Sequence, residues 1–217
     1  SLSFSNDFDP DLKVNTLTGK WFTITTEQEN RIKKIEGISN YSKIIEERVL
    51  FYFNGKEQVT YLKGVDQNFT NVNKASQKLF NGQWLKPNTY QVVIGYGISE
   101  KLSLGLFDLN NPFEVYVPKP GKGSIDLPEE AFNKDVLVPV GIYAISEELD
   151  SKYVFADLGL TQHLLDYELN QISGIELKLK PNSDENNVIE QITTILNQNN
   201  QKIEVKTRAQ LNATLYK

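Results

Sequence analysis

The sequence predicts an α+β fold with a strand-helix-strand unit at each end of the chain and a β-rich insert between them. Three observations predict it. Residues 174 to 180 and 202 to 206 alternate at period two on either side of a segment whose apolar residues recur at helical spacing. Leu12 to Gly37 repeats that outline with a strand signal and a helix signal, and the residues between the two ends are dominated by β-branched and aromatic runs broken by Asn, Gly and Pro.

In chain order, Leu12-Lys13-Val14 is a short strand. Thr26-Glu27-Gln28-Glu29 matches a capping box, in which a hydroxyl and a side chain three residues on satisfy each other's backbone N–H groups. The helix it opens carries Ile32 and Ile35 and stops at Gly37. From Tyr41 to about Asp66 two strands flank Asn54-Gly55. Both residues tolerate positive φ, so a two-residue type I′ hairpin is expected, with Leu50 opposite Val59 and Glu46 opposite Lys63.

Residues 66 to 90 are polar and asparagine-rich and read as a connection with at most a short helix. Gln91 to Ile94 is a strand, Ile98 to Leu104 a helix, and Gly105 its stop. Phe113 to Val117, Val136 to Ile145 and Tyr153 to Phe155 are strands, and Leu160 to Tyr167 is a short helix. Between the first two of these strands, Pro118 to Asp135 reads as a long polar and proline-bearing arm that projects into solvent.

Gly174 to Lys180 is a half-exposed strand. Ser183 or Asp184 caps the following helix, which places Val188, Ile189, Ile192, Ile195 and Leu196 on one face. Lys202 to Lys206 is the partner strand, and Ala209 to Lys217 begins another helix. Two strand-helix-strand units can pair into one ferredoxin-like sheet with its helices on one face. The expected organisation is 1–80 and 169–217 in one subdomain, with 81–168 inserted as the β-rich one.

Composition narrows the function. With 217 residues, 39% of them hydrophobic, the chain can bury a core without disulfides or metal. Cysteine is absent, which removes disulfides, thiolate chemistry and the usual ligands of structural zinc. Methionine is absent too, at position 1 as elsewhere, so a processed chain or an excised piece is expected. A net charge of -5 with scattered lysines lacks the basic stripe of a nucleic-acid surface, and no nucleic-acid partner is expected. No stretch approaches the roughly 20 apolar residues that span a bilayer.

No catalytic constellation emerges. Gly95-Tyr96-Gly97 follows a strand, but Glu100 stands where a dinucleotide fingerprint needs its third glycine. Gly121-Lys122-Gly123-Ser124 lacks the spacing and strand-to-helix setting of a phosphate loop. The single histidine, His163, reads as a surface residue of an amphipathic helix. Glu46-Glu47, Glu129-Glu130 and Glu147-Glu148 are sequence neighbours, which on a strand point to opposite faces. Residues 182 to 187 lack calcium-loop spacing. No catalytic residue, metal site or cofactor is therefore expected. Three Asn-x-Ser/Thr tripeptides, at Asn40, Asn68 and Asn212, carry no weight in an asparagine-rich chain.

The order Val92-Val93-Ile94-Gly95, a short helix to Leu104, then Gly105 resembles a recurring pattern of MacB-type periplasmic core domains. Asp150-Ser151-Lys152-Tyr153-Val154 and Ser173-Gly174-Ile175-Glu176 are similar to segments of the lipoprotein-releasing, LolC/LolE-like branch of the FtsX-like permeases. The resemblance covers residues 84 to 180. It implies the periplasmic domain of a bacterial inner-membrane ABC transporter permease: a porter-like half built from both chain ends and a β-rich, Sabre-like half.

The same resemblance implies partners. They are a cytoplasmic ATPase subunit, a second permease copy or paralogue, and a periplasmic lipoprotein carrier captured by the protruding arm. The matching arm residues are Pro118, Lys119, Pro120, Lys122, Ile125, Leu127 and Pro128, with Ile125 and Leu127 as its apolar anchors. Two other readings stand beside lipoprotein release. One is a macrolide-exporter-like or division-type permease that relays force. The other is a secreted carbohydrate-binding or hydrolytic protein using Trp21, Trp84 and the ten tyrosines as a platform.

Overall fold

The computed structural model describes residues 8–119 and 131–215. Contacts divide the chain into two compact units, one of residues 1–44, 67–74 and 169–217, the other of residues 45–66 and 75–168. The chain returns to the first unit at Leu169, but its earlier division differs from an expected single boundary near 80. Residues 45–66 lie in the second unit because the Asn54-Gly55 hairpin pairs into that unit's wall.

The first unit contains β1 (Leu12–Thr16), β2 (Phe22–Thr23), α1 (Thr26–Lys33), the beginning of β3 (Ile38–Phe53) and α2 (Phe69–Val72). After the insert it adds β10 (Gln171–Ile172), β11 (Gly174–Leu179), α6 (Glu185–Leu196), β12 (Ile203–Thr207) and α7 (Arg208–Leu215). The labels β4–β9 and α3–α5 belong to the insert. The main sheet runs β12-β1-β11-β3, each neighbour antiparallel. Numbered by their order in the two strand-helix-strand units, these are strands four, one, three and two, the order of a split βαβ sheet. Ile32 of α1 and Val188, Ile192, Ile195 and Leu196 of α6 are buried with Leu12, Val14, Ile175 and Leu177 of the strands.

Local chemistry explains the helix starts. Thr25, one residue before the expected cap, accepts from the Gln28 N–H at 3.1 Å, and the Gln28 side chain accepts from the Thr25 N–H at 2.9 Å. The shifted register wins because Gln28 is buried and its amide also donates to the Ile195 carbonyl at 3.0 Å. Glu29 faces outward instead, where it accepts from the Tyr41 hydroxyl at 2.9 Å and pairs with Lys43 at 3.3 Å. Of the two residues open as a cap for α6, Asp184 is the one whose carboxylate accepts from the Asn187 N–H.

The second unit contains the rest of β3, β4 (Lys56–Val65), β5 (Leu79–Gly82), β6 (Gln91–Gly95) and α3 (Tyr96–Leu102). It continues with β7 (Phe113–Pro118), β8 (Phe132–Tyr143), α4 (Glu147–Asp150), β9 (Tyr153–Asp157) and α5 (Leu158–Leu164). Asn54 and Gly55 hold φ of 46° and 82°, as a type I′ turn requires, and Lys63 reaches Glu46 at 3.2 Å across the hairpin. Among the described residues, six strands pair in a closed circuit, β3-β4-β9-β6-β8-β7 and back to β3. Closure leaves no unpaired edge in that circuit. Phe51 and Phe113 stack at 5.4 Å in its core, where Leu62, Ile94, Val115 and Val154 are also buried.

Three sequence expectations change here. The strand β5 lies within the segment read as a polar connection, paired to β8 despite its exposed side chains. Helix α3 starts at Tyr96 and ends on Ser103 in the left-handed conformation, two residues before Gly105. Strand β8 starts at Phe132, four residues before the expected Val136, because its polar residues Asn133, Lys134 and Asp135 extend the ladder with β7.

Candidate functional site

The segment predicted to bind a partner lies in the sequence between β7 and β8, two strands of the second unit that pair antiparallel. The ladder runs from Phe113 opposite Leu137 to Pro118 opposite Phe132, and the Lys119 N–H extends it to the Ala131 carbonyl at 2.8 Å. Of the seven candidate residues, Pro118 ends β7 and Lys119 follows it, both half-buried. Pro120, Lys122, Ile125, Leu127 and Pro128 lie outside the described residues. The phosphate-loop look-alike Gly121 to Ser124 lies there too.

Alternation builds a firm root. Phe113, Val115 and Val117 are buried, while Tyr116 on the opposite face is half-exposed. Strand β3 pairs the other edge of β7, with Leu50 opposite Tyr116 and Phe53 opposite Phe113, so β7 is held on both sides. Lys134 stands opposite Tyr116, 5.5 Å from its ring centroid, and forms an ion pair with Glu114 on the diagonal. The hydrogen bond that Lys134 donates to Glu114, joined by one to Tyr116, raises the Lys134 pKa above the ordinary lysine value. Asn133 anchors the same root to α5 by donating to the Leu164 carbonyl at 2.8 Å and to the Asp166 carboxylate at 3.1 Å.

Sequence reasoning singled out the segment between β7 and β8 and missed Asn133, Lys134, Glu114 and Tyr116, which fix the strands on either side of it. The available signal was alternation: Glu114 and Tyr116 interrupt three apolar residues at period two, and Lys134 completes that outward face.

The remaining candidates have structural roles. A Cβ on Gly95 would collide with the Asp150 carbonyl and one on Gly97 with the Ser151 hydroxyl, so these glycines serve close packing against the end of α4. His163 is exposed on α5. Trp84 packs 5.3 Å from Phe155 in the second unit, whereas Trp21 belongs to the first, so the two tryptophans fall in different units. Among the described residues no group of three or more His, Asp or Glu is gathered as for a metal ion. No helix among them is long and apolar enough to cross a membrane.

No family model and no curated protein matches the sequence. Solved structures do. The periplasmic region of MacB from Actinobacillus actinomycetemcomitans superposes with a TM-score of 0.65 at 12% identity, covering 97% of this chain and 95% of that one. The extracellular domain of the ABC-type transporter YknZ from Gram-positive bacteria gives 0.62 at 13% identity, covering 90% and 99%. A domain of a Porphyromonas gingivalis protein described as a permease gives 0.56 at 10% identity, covering 94% and 91%. At these identities the shared property is the fold, and this chain has the α+β fold of the extracytoplasmic domains of MacB and YknZ.

Proposed function

We propose that this chain is the extracytoplasmic domain of an ABC transporter permease in a bacterial inner membrane. It couples ATP-driven movement of membrane helices to the release of a lipoprotein or another amphiphilic substrate to a periplasmic partner. The observation that carries this reading is the MacB-like fold extending over 97% of the chain, which includes both compact units. The porter-like role falls to the first unit, whose sheet joins strands from both ends of the chain.

In this reading the domain has no catalytic residue and takes no cofactor. The ATPase is a separate cytoplasmic subunit, and a second permease copy or paralogue completes the transporter. The arm between Pro118 and Ala131 captures the partner, with Pro118, Lys119, Pro120, Lys122, Ile125, Leu127 and Pro128 as contact residues. Prolines lower the cost of ordering such an arm when it binds. Its closed-barrel root supports this role, since a rigid base presents a binding segment without losing position.

A capture experiment with a periplasmic lipoprotein carrier tests the reading. The chain retains the carrier, and deletion of residues 119 to 126 abolishes retention while the thermal unfolding midpoint stays in place. Capture that survives the deletion removes the arm assignment, and ATP or ester hydrolysis by the chain alone removes the transport assignment.

A second reading has its own support. The MacB and YknZ domains share the fold, which favours a permease of the macrolide-exporter-like or division type that relays force without handing over a lipoprotein. Absence of carrier capture by the intact chain favours this second reading.

A further inference from the structure

Strands β1 and β12 are antiparallel neighbours, paired from Leu12 opposite Thr207 to Thr16 opposite Ile203. The chain therefore enters β1 and leaves β12 at the same end of one ladder. A force separating the entering and leaving segments acts first on Leu12 and Thr207. The ladder is then loaded like a zipper, one pair at a time. In that geometry the groups at the fork decide whether the ladder opens.

Two charged residues occupy this fork. The Arg208 N–H donates to the Asp11 carbonyl at 3.1 Å, and Arg208 Nη2 donates to Asp11 Oδ1 at 2.7 Å. The same Nη2 also reaches the Asp9 carbonyl at 3.2 Å. On the other side of the entering chain, Asp11 Oδ2 accepts from the Leu179 N–H at 2.8 Å, and the Asp11 N–H donates to the Leu177 carbonyl at 3.0 Å. Asp11 thus ties the end of β12 to the end of β11 across the start of β1. An ion pair exposed to this degree, 41% and 27% on its two side chains, adds little to global stability. Its place at the fork gives it a different effect, because these charge-assisted bonds must break before the first ladder pair separates.

We infer that Asp11 and Arg208 form a mechanical lock that holds the entering and leaving segments together under load. Its use in transport rests on the proposed permease reading, in which these segments carry force; the lock itself can be measured without transport.

Single-molecule pulling on the 217-residue chain through handles at its two ends tests it. The wild type shows a rupture step before β1 and β12 separate, and Arg208→Ala and Asp11→Asn lose that step. Arg208→Lys, which keeps the charge without the fork of donors, lowers its force while preserving the fold. The chain has no cysteine, so Thr18→Cys and Gln198→Cys provide a second pair of handles near the Thr16–Ile203 end of the ladder. With those handles the lock substitutions leave the first rupture unchanged. Equal weakening in both geometries, or an unchanged end-loaded rupture in Arg208→Ala, overturns the lock. If the rupture step is present while carrier capture and transport fail, the lock stands and the permease reading falls.

Discussion

The Tyr143 hydroxyl lies 2.7 Å from the Tyr153 carbonyl and accepts from the N–H of that same residue at 3.2 Å, so one phenol serves both backbone groups of a β9 residue. The Leu149 carbonyl is within its reach too, at 2.9 Å. Burial raises the Tyr143 pKa well above the ordinary tyrosine value and keeps it a neutral donor. The ring stands at the end of β8 and packs 5.2 Å from Phe155.

Removing that hydroxyl deletes its buried hydrogen bonds with the Tyr153 backbone. Tyr143→Phe is expected to lower stability by about 1.5 kcal/mol, at the upper end of what one intramolecular hydrogen bond contributes. Urea unfolding checks it. A change below about 0.5 kcal/mol, the range of surface substitutions, contradicts the role given to the hydroxyl.

Gly95 and Gly105 separate packing from helix termination. The Gly95→Ala methyl would collide with the Asp150 backbone, which cannot rotate away, and a loss of about 3 kcal/mol or more is expected, at the upper end of overpacking costs. At Gly105 a Cβ meets nothing within 4 Å, and Gly105→Ala is expected to fall within about 0.5 kcal/mol of wild type. Equal thermal shifts for the two variants would show that the close approach of Gly95 to α4 is not a constraint.

The two threonines at the start of α1 discriminate between capping registers. Thr25→Ala should destabilise by about 1 kcal/mol, the usual effect of losing a side-chain cap. Thr26→Ala, at an exposed first-turn position, should leave stability nearly unchanged. The reverse order in chemical denaturation would restore the sequence-based register.

Asp150 gives a pH dependence with a defined sign. Burial raises its pKa above the ordinary 3.8, against the opposing hydrogen bonds from the Ile145 and Ser146 N–H groups. The folded protein holds this proton more tightly than the unfolded chain, so the contribution is complete below 3.8 and is lost as pH rises through the raised folded value. Asp150→Asn should lack this dependence. The wild-type midpoint should therefore fall relative to that of the variant as pH increases across the window. A constant difference contradicts the assignment.

Much of the local structure was legible because its causes lie within a few residues. Asn54-Gly55 carries the positive φ values its turn needs, and the alternation in Gly174 to Leu179 marks a strand. The interruption between the strand signals of β7 and β8 was legible from its prolines, but the pairing that flanks it was not. Lys134 becomes part of a strand because Tyr116 and Glu114 stand across from it, and no residue adjacent in sequence reveals that pairing. The strand β5 was hidden for a related reason, since ladder pairing with β8 holds it without burying its side chains.

By itself the sequence determined the α+β class, the repeated strand-helix-strand outline and the exclusion of thiol chemistry. Periodicity, turn residues and composition are properties of short segments or of the whole inventory. Tertiary structure decided which strands close the barrel, that residues 45–66 join the second unit, and that Asp11 meets Arg208 across the start of a strand. Those outcomes depend on backbone partners far apart in the chain, selected by the joint burial of many side chains and not by any local preference.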